Sequence, residues 1–155
     1  MGVDLSQYDL MIAHPPCQFL CVSGLHWNKR IPGRAEKTEE ALEFVQTLLN
    51  APVRRIAIEN PRGCISTRIR KPDQEIQPYQ FGEDASKLTC LWLKDLPLLQ
   101  PTGYVEPRFV AGKPRWANQT DSGQNRLGPS EDRWKLRSLT YLGIAEAMAE
   151  QWGGL

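Results

Sequence analysis

An α/β fold built on a partial parallel sheet flanked by helices is what this sequence predicts, on three observations. Short apolar runs recur at Asp9–His14, Arg55–Glu59 and Leu88–Leu93; an amphipathic stretch lies between the first two; and proline-bearing turns follow the first two runs directly. Strand, helix and strand at this spacing is the signature of a right-handed βαβ unit, so the three strands are expected to be parallel with helices on the sheet faces.

The first run, Asp9-Leu-Met-Ile-Ala-His14, is stopped by Pro15-Pro16, which remove two backbone donors and force the chain out of a strand. Over Glu36 to Asn50 the apolar residues Ala41, Leu42, Val45, Leu48 and Leu49 recur at spacings of three and four. Glu36, Glu39, Glu40 and Glu43 lie toward the start, where a helix dipole favours acids, and Pro52 ends the helix. The second strand is expected to end at the Asn60-Pro61 turn. Residues 96–129 hold five prolines, several glycines and no sustained period, which predicts a long irregular segment. A helix is expected to start near Pro129-Ser130, with Ser130 as its cap, and a last one to run from about Ile144 to Trp152, ending at Gly153-Gly154.

The 155 residues fit one domain spanning 1–155, large enough to bury a core without disulfides. No apolar run approaches a membrane span and no secretory signal is visible, so the expected setting is the cytoplasm. The near-neutral balance of 19 Lys+Arg against 18 Asp+Glu conceals two basic stretches, 54–94 with eight cations against five acids and 105–137 with seven against four. They permit either a phosphate-facing surface or ordinary solvated charge. Cys21, Cys64 and Cys90 sit among apolar neighbours and read as buried small side chains, whereas Cys17 follows two prolines. His14, Cys17, Cys21 and His26 supply four possible zinc ligands, at a spacing that matches no common zinc pattern. Trp116 and Trp134, in basic surroundings, can stack on bases or pack in a core.

Ligands of an open parallel sheet bind beyond the carboxyl ends of its strands. His14-Pro-Pro-Cys-Gln18 and Glu59-Asn-Pro61 both fall there, so neighbouring strands would place Cys17 and Glu59 on one crevice. A thiol and a carboxylate so placed suit covalent catalysis.

These residues resemble the hallmarks of DNA (cytosine-5) methyltransferases. Asp9 to Gly24 is similar to that family's catalytic loop, a strand followed by Pro-Cys-Gln and then Ser-Gly, and Ile58-Glu-Asn60 is similar to its Glu-Asn-Val, with Pro61 replacing valine. Gln77-Pro-Tyr-Gln-Phe-Gly82, Lys87 to Lys94 and Tyr141 to Gly153 extend the resemblance to short phage and prophage members, over nearly the whole chain. It implies a Rossmann-like methyltransferase catalytic portion, DNA as partner, S-adenosylmethionine as cofactor and, for a phage-encoded chain, the host cytoplasm. Cys17 would add to C6 of a flipped cytosine while Glu59 binds its N3 and N4 edge, and C5 would then accept the methyl group. Pro16, Gln18, Ser23 and Asn60 are implied to contact the base. Lys87 would stand for the family's arginine pair, and Arg68 and Arg70 could hold phosphates.

One element of the family pattern is missing. The twelve glycines contain no Gly-x-Gly, so the glycine-lined strand end expected to receive S-adenosylmethionine is absent from this sequence. Three arrangements are open: a second subunit supplying the cofactor half, a homodimer completing the sheet, or a catalytically inactive protein that binds nucleic acid or sequesters a signalling nucleotide.

Overall fold

The computed structural model describes residues 2–155. They gather into two compact units, one comprising the chain up to Glu75 together with Thr89–Leu98, the other Ile76–Leu88 together with Leu99–Leu155.

The first unit is a mixed α/β layer. Its elements are β1 (Leu10–Ala13), the short α1 (Val22–Leu25), α2 (Arg34–Leu49), β2 (Arg55–Pro61), the short α3 (Ile65–Arg68), β3 (Gln74–Ile76) and β4 (Thr89–Lys94). The strand order is β1-β2-β4-β3. β1 and β2 are parallel, with Leu10 opposite Arg55 and Ala13 opposite Ile58. As predicted, α2 is the crossover between them, burying Thr38, Ala41, Leu42 and Val45 along one face. Those side chains share a core with Leu20, Val53, Ile56, Ile58, Ile65 and Trp92. Deep packing of this kind stabilises by about 1.5–3 kcal/mol for each large apolar side chain.

Two expectations are corrected here. β4 runs antiparallel to β2, with Ile56 opposite Lys94 and Pro61 opposite Thr89, so the sheet is mixed. A parallel return would need a covering crossover element. Residues 62–88 offer only four-residue α3 and the edge strand β3, whereas the 16-residue α2 provides such a cover between β1 and β2. A continuous apolar run marks a strand buried on both faces and carries no information about its direction. Second, Asn60 and Pro61 do not end β2; they remain in the ladder opposite Cys90 and Thr89. Proline is tolerated as the last residue of a strand, where its missing N–H disturbs the ladder least.

The second unit holds the hairpin β5 (Arg108–Val110) and β6 (Lys113–Arg115), then α4 (Arg133–Ser138) and α5 (Leu142–Trp152). Its buried apolar residues include Phe81, Leu99, Trp116, Ile144, Ala147, Met148 and Trp152. The hairpin lies inside the segment expected to be irregular. Its two-residue turn is Ala111-Gly112, with φ of +49° and +75°, the signs that the right-handed twist of paired strands favours. The start of α4 is also corrected: its cap is Asp132 rather than Ser130, and the cap side chain makes no capping hydrogen bond. Gly143, at the start of α5, lies so close to Phe81 that a Cβ would stand 2.0 Å from the Phe81 carbonyl oxygen.

Candidate active site

Parallel pairing carries β1 and β2 to the same end of the sheet, and the residues after the Ala13 and Ile58 pair are His14 and Glu59. The Glu59 carboxylate is 10% exposed, and its Oε2 lies 3.4 Å from Nδ1 of His14, whose side chain is 43% exposed. A nearly buried acid thus has a water-accessible imidazole beside it.

After His14 the two prolines turn the chain into a 3-10 turn that starts at Cys17. The thiol is half-buried and not in a disulfide. Every carbonyl from Pro15 to Leu20 accepts a hydrogen bond. Asn60 Nδ2 donates to Pro15 O at 3.0 Å, and Phe19 N and Leu20 N close the turn onto Pro16 O and Cys17 O. Arg34 Nη2 donates to Gln18 O at 2.7 Å, Thr38 Oγ1 to Phe19 O at 2.9 Å, and Cys64 N to Leu20 O at 2.8 Å. Asn28 in turn donates to Thr38 Oγ1 at 2.9 Å. A loop whose carbonyls are all engaged is held in one conformation, which is what positioning a nucleophile requires.

Two glycines make this packing feasible. A Cβ on Gly24 would lie 2.1 Å from Gln18 O, and one on Gly63 would lie 1.8 Å from Leu20 O. The Gly63 contact belongs to a short antiparallel bridge, Cys21 opposite Gly63, flanked by Val22 N donating to Arg62 O at 3.1 Å. The loop after β1 and the loop after β2 are therefore stitched together just beyond Cys17 and Glu59.

The remaining residues singled out from the sequence are distributed as follows. Pro16 and Gln18 are exposed beside Cys17. Ser23 lies on α1 with its hydroxyl 3.1 Å from Cys21 Sγ. Asn60 is buried, and its amide holds the cysteine loop. Arg68 forms a two-pronged pair with Glu39 at 2.9 and 2.8 Å, and Arg70 pairs with Asp73 at 2.8 Å and donates to Leu93 O at 2.9 Å. Lys87 belongs to the second unit, where its ammonium donates to the Arg137 carbonyl at 2.7 Å beyond the last turn of α4. The arginines of the second basic stretch likewise serve the chain itself. Arg108 holds the carbonyls of Trp116 and Gln119, Arg115 that of Asp121, and Arg126 that of Gln119.

Burial pushes the Cys64 thiol up. Burial first, and the Glu75 carboxylate second, push the Cys90 thiol up to about 11. Among the described residues, no group of three or more His, Cys, Asp or Glu is placed to hold a metal ion. His14 faces Glu59, Cys21 lies against Ser23, and His26 packs against the Trp27 ring at 4.7 Å. Sequence reasoning missed the roles of Arg34, Thr38 and Asn28, and of Gly63 as a contact point; only the Ser-Gly pair at 23–24 had been noticed. No family model, no curated protein and no solved structure matches the chain.

Proposed function

We propose that this chain is a cytosine-5 methyltransferase-like protein whose own chemistry is addition of Cys17 to C6 of a cytosine base in DNA. The observation that supports this most is the convergence of two strand ends: a half-buried cysteine on a fully hydrogen-bonded loop, stitched to the loop that follows a nearly buried glutamate.

In the proposed step the Cys17 thiolate forms a sulfur–C6 bond. The C5=C6 pair shifts into a C4=C5 bond, the C4=N3 pair moves onto N3, and N3 takes a proton from Glu59. The resulting enamine is nucleophilic at C5. A duplex cytosine reaches such a site only after leaving the stack, at a cost of a few kcal/mol.

S-adenosylmethionine, which the resemblance implies as methyl donor, does not fit the residues described. The closest approaches at glycines are to the chain's own backbone: Gly24 to Gln18, Gly63 to Leu20, Gly143 to Phe81 and Gly153 to Ala149. No glycine-lined cradle among them remains for an adenosyl group, so the proposed chemistry stops at the activated base.

That step is measurable without any methyl donor. In D2O the enamine takes a deuteron at C5, then loses the original C5 proton and the thiolate, leaving cytosine heavier by one mass unit. Mixed-sequence DNA, duplex and single-stranded, incubated with the protein and digested to nucleosides should show C5 deuteration that Cys17→Ser abolishes. DNA retention without deuteration would favour the inactive binding protein instead.

A further inference from the structure

We infer that His14 is a proton-relay residue that reloads Glu59 from solvent, an inference that rests on the proposed addition of Cys17 to cytosine. Each addition removes a proton from Glu59, and each elimination returns one. A carboxyl group only 10% exposed exchanges protons with water slowly unless another group carries them, and the 43% exposed ring of His14 stands 3.4 Å away. Imidazole suits this role because it has two nitrogens and titrates near neutral pH. Nδ1 is on the Glu59 side, and the ring's second nitrogen can exchange with water. Contacts of this length in a ligand-free site commonly tighten when substrate binds.

The neighbourhood leaves His14 few competing partners. β1 pairs only with β2, whose other charged residue, Arg55, lies at the opposite end beside Leu10. Asp9 lies at that far end as well. At the near end the titratable groups are Glu59 on β2 and Cys17 on the following loop.

The step balances without an added oxidant or cofactor. N3 takes the proton of Glu59 as the sulfur–C6 bond forms; the carboxylate takes a proton from the imidazolium; the imidazole takes one from water. On elimination the same transfers run backwards. His14 touches neither the base nor the sulfur in this scheme and acts through Glu59.

The experiment follows C5 deuteration of mixed-sequence DNA by wild type, Cys17→Ser, His14→Ala and His14→Gln, with folding checked by circular dichroism. We expect both His14 variants to lose about 10²-fold in exchange rate, the lower end for general acid–base assistance, while retaining DNA binding. Added imidazole should restore exchange to His14→Ala. Exchange at the wild-type rate in His14→Gln, which keeps a polar contact but cannot relay a proton, would overturn the relay and leave the Cys17 chemistry standing. Failure of imidazole to rescue His14→Ala would overturn it too. No deuteration by wild type would remove the Cys17 chemistry and the relay with it.

Discussion

At the scale of single residues, Asn60 and Thr38 make the clearest case that side chains chosen for one carbonyl each can fix a nucleophile. Both are buried, and each donates to a carbonyl of the cysteine loop. Thr38→Val keeps the shape but leaves Phe19 O without its donor and the Asn28 amide without its acceptor. We expect a loss of about 1–3 kcal/mol, the usual cost of an unsatisfied buried group, read as a lower urea midpoint. Faster amide exchange should be confined to the loop around residues 17–21, and Thr38→Ser should recover most of the loss. Cys90 gives a pH-dependent counterpart. Its thiol titrates at about 11 in the fold against an ordinary 9.0, so the unfolded chain releases this proton first as pH rises. The stabilisation is complete below pH 9 and is lost progressively as pH climbs toward 11. Stability measured across that window should fall, and the fall should be shallower in Cys90→Ala. An unchanged slope would contradict the assigned burial of the thiol.

At the scale of elements, the fold was legible wherever one period ran long enough. α2 announced itself because its apolar residues repeat over four turns, and β1, β2 and β4 because their runs are continuous. The direction of β4 was not legible, since burial on both faces looks the same in either sense. β3, with three residues, is too short to show alternation. The β5–β6 hairpin was hidden by Pro114, which reads as a breaker. In a hairpin closed by Val110 and Lys113, however, the next pair, Phe109 and Pro114, points its backbone N–H outward, so proline removes no ladder bond. Ala111 holds a φ that L-residues adopt at a cost of about 1–2 kcal/mol. Ala111→Asn should therefore raise the melting temperature of the protein by relieving part of that strain, and no rise would contradict the turn geometry. Helices α2 and α3 are joined by the Glu39–Arg68 pair, and the hydrogen bond from Arg68 holds the Glu39 carboxyl below the usual carboxylate range. Its contribution is present above that range and lost as pH falls through the folded-state value. Glu39→Gln should thus reduce the steepness of acid unfolding, with the effect diminished by salt because the pair is exposed.

At the scale of the whole molecule, Cys17 and Glu59 were legible because a nucleophile and an acid at two strand ends need only the strand pairing to bring their loops together. What supports them was not legible. Arg34, Thr38 and Gly63 matter through contacts with backbone atoms distant in sequence, and nothing in a side chain's identity announces which carbonyl it will meet. The basic stretches misled for a related reason: six of their cations, Arg68, Arg70, Lys87, Arg108, Arg115 and Arg126, hold carboxylates or carbonyls of this chain. Phosphate contact would have to come from other groups or displace these partners. The central claim remains that Cys17 forms a bond to C6 of cytosine. The most direct measurement is intact-protein mass spectrometry after incubation with an oligonucleotide carrying 5-azacytosine, whose ring nitrogen makes C6 more electrophilic and retains the adduct without a methyl donor. A mass increase equal to the oligonucleotide, mapped by digestion to Cys17 and absent in Cys17→Ser, is the predicted result. An unmodified protein, or an adduct mapped to another cysteine, would contradict it.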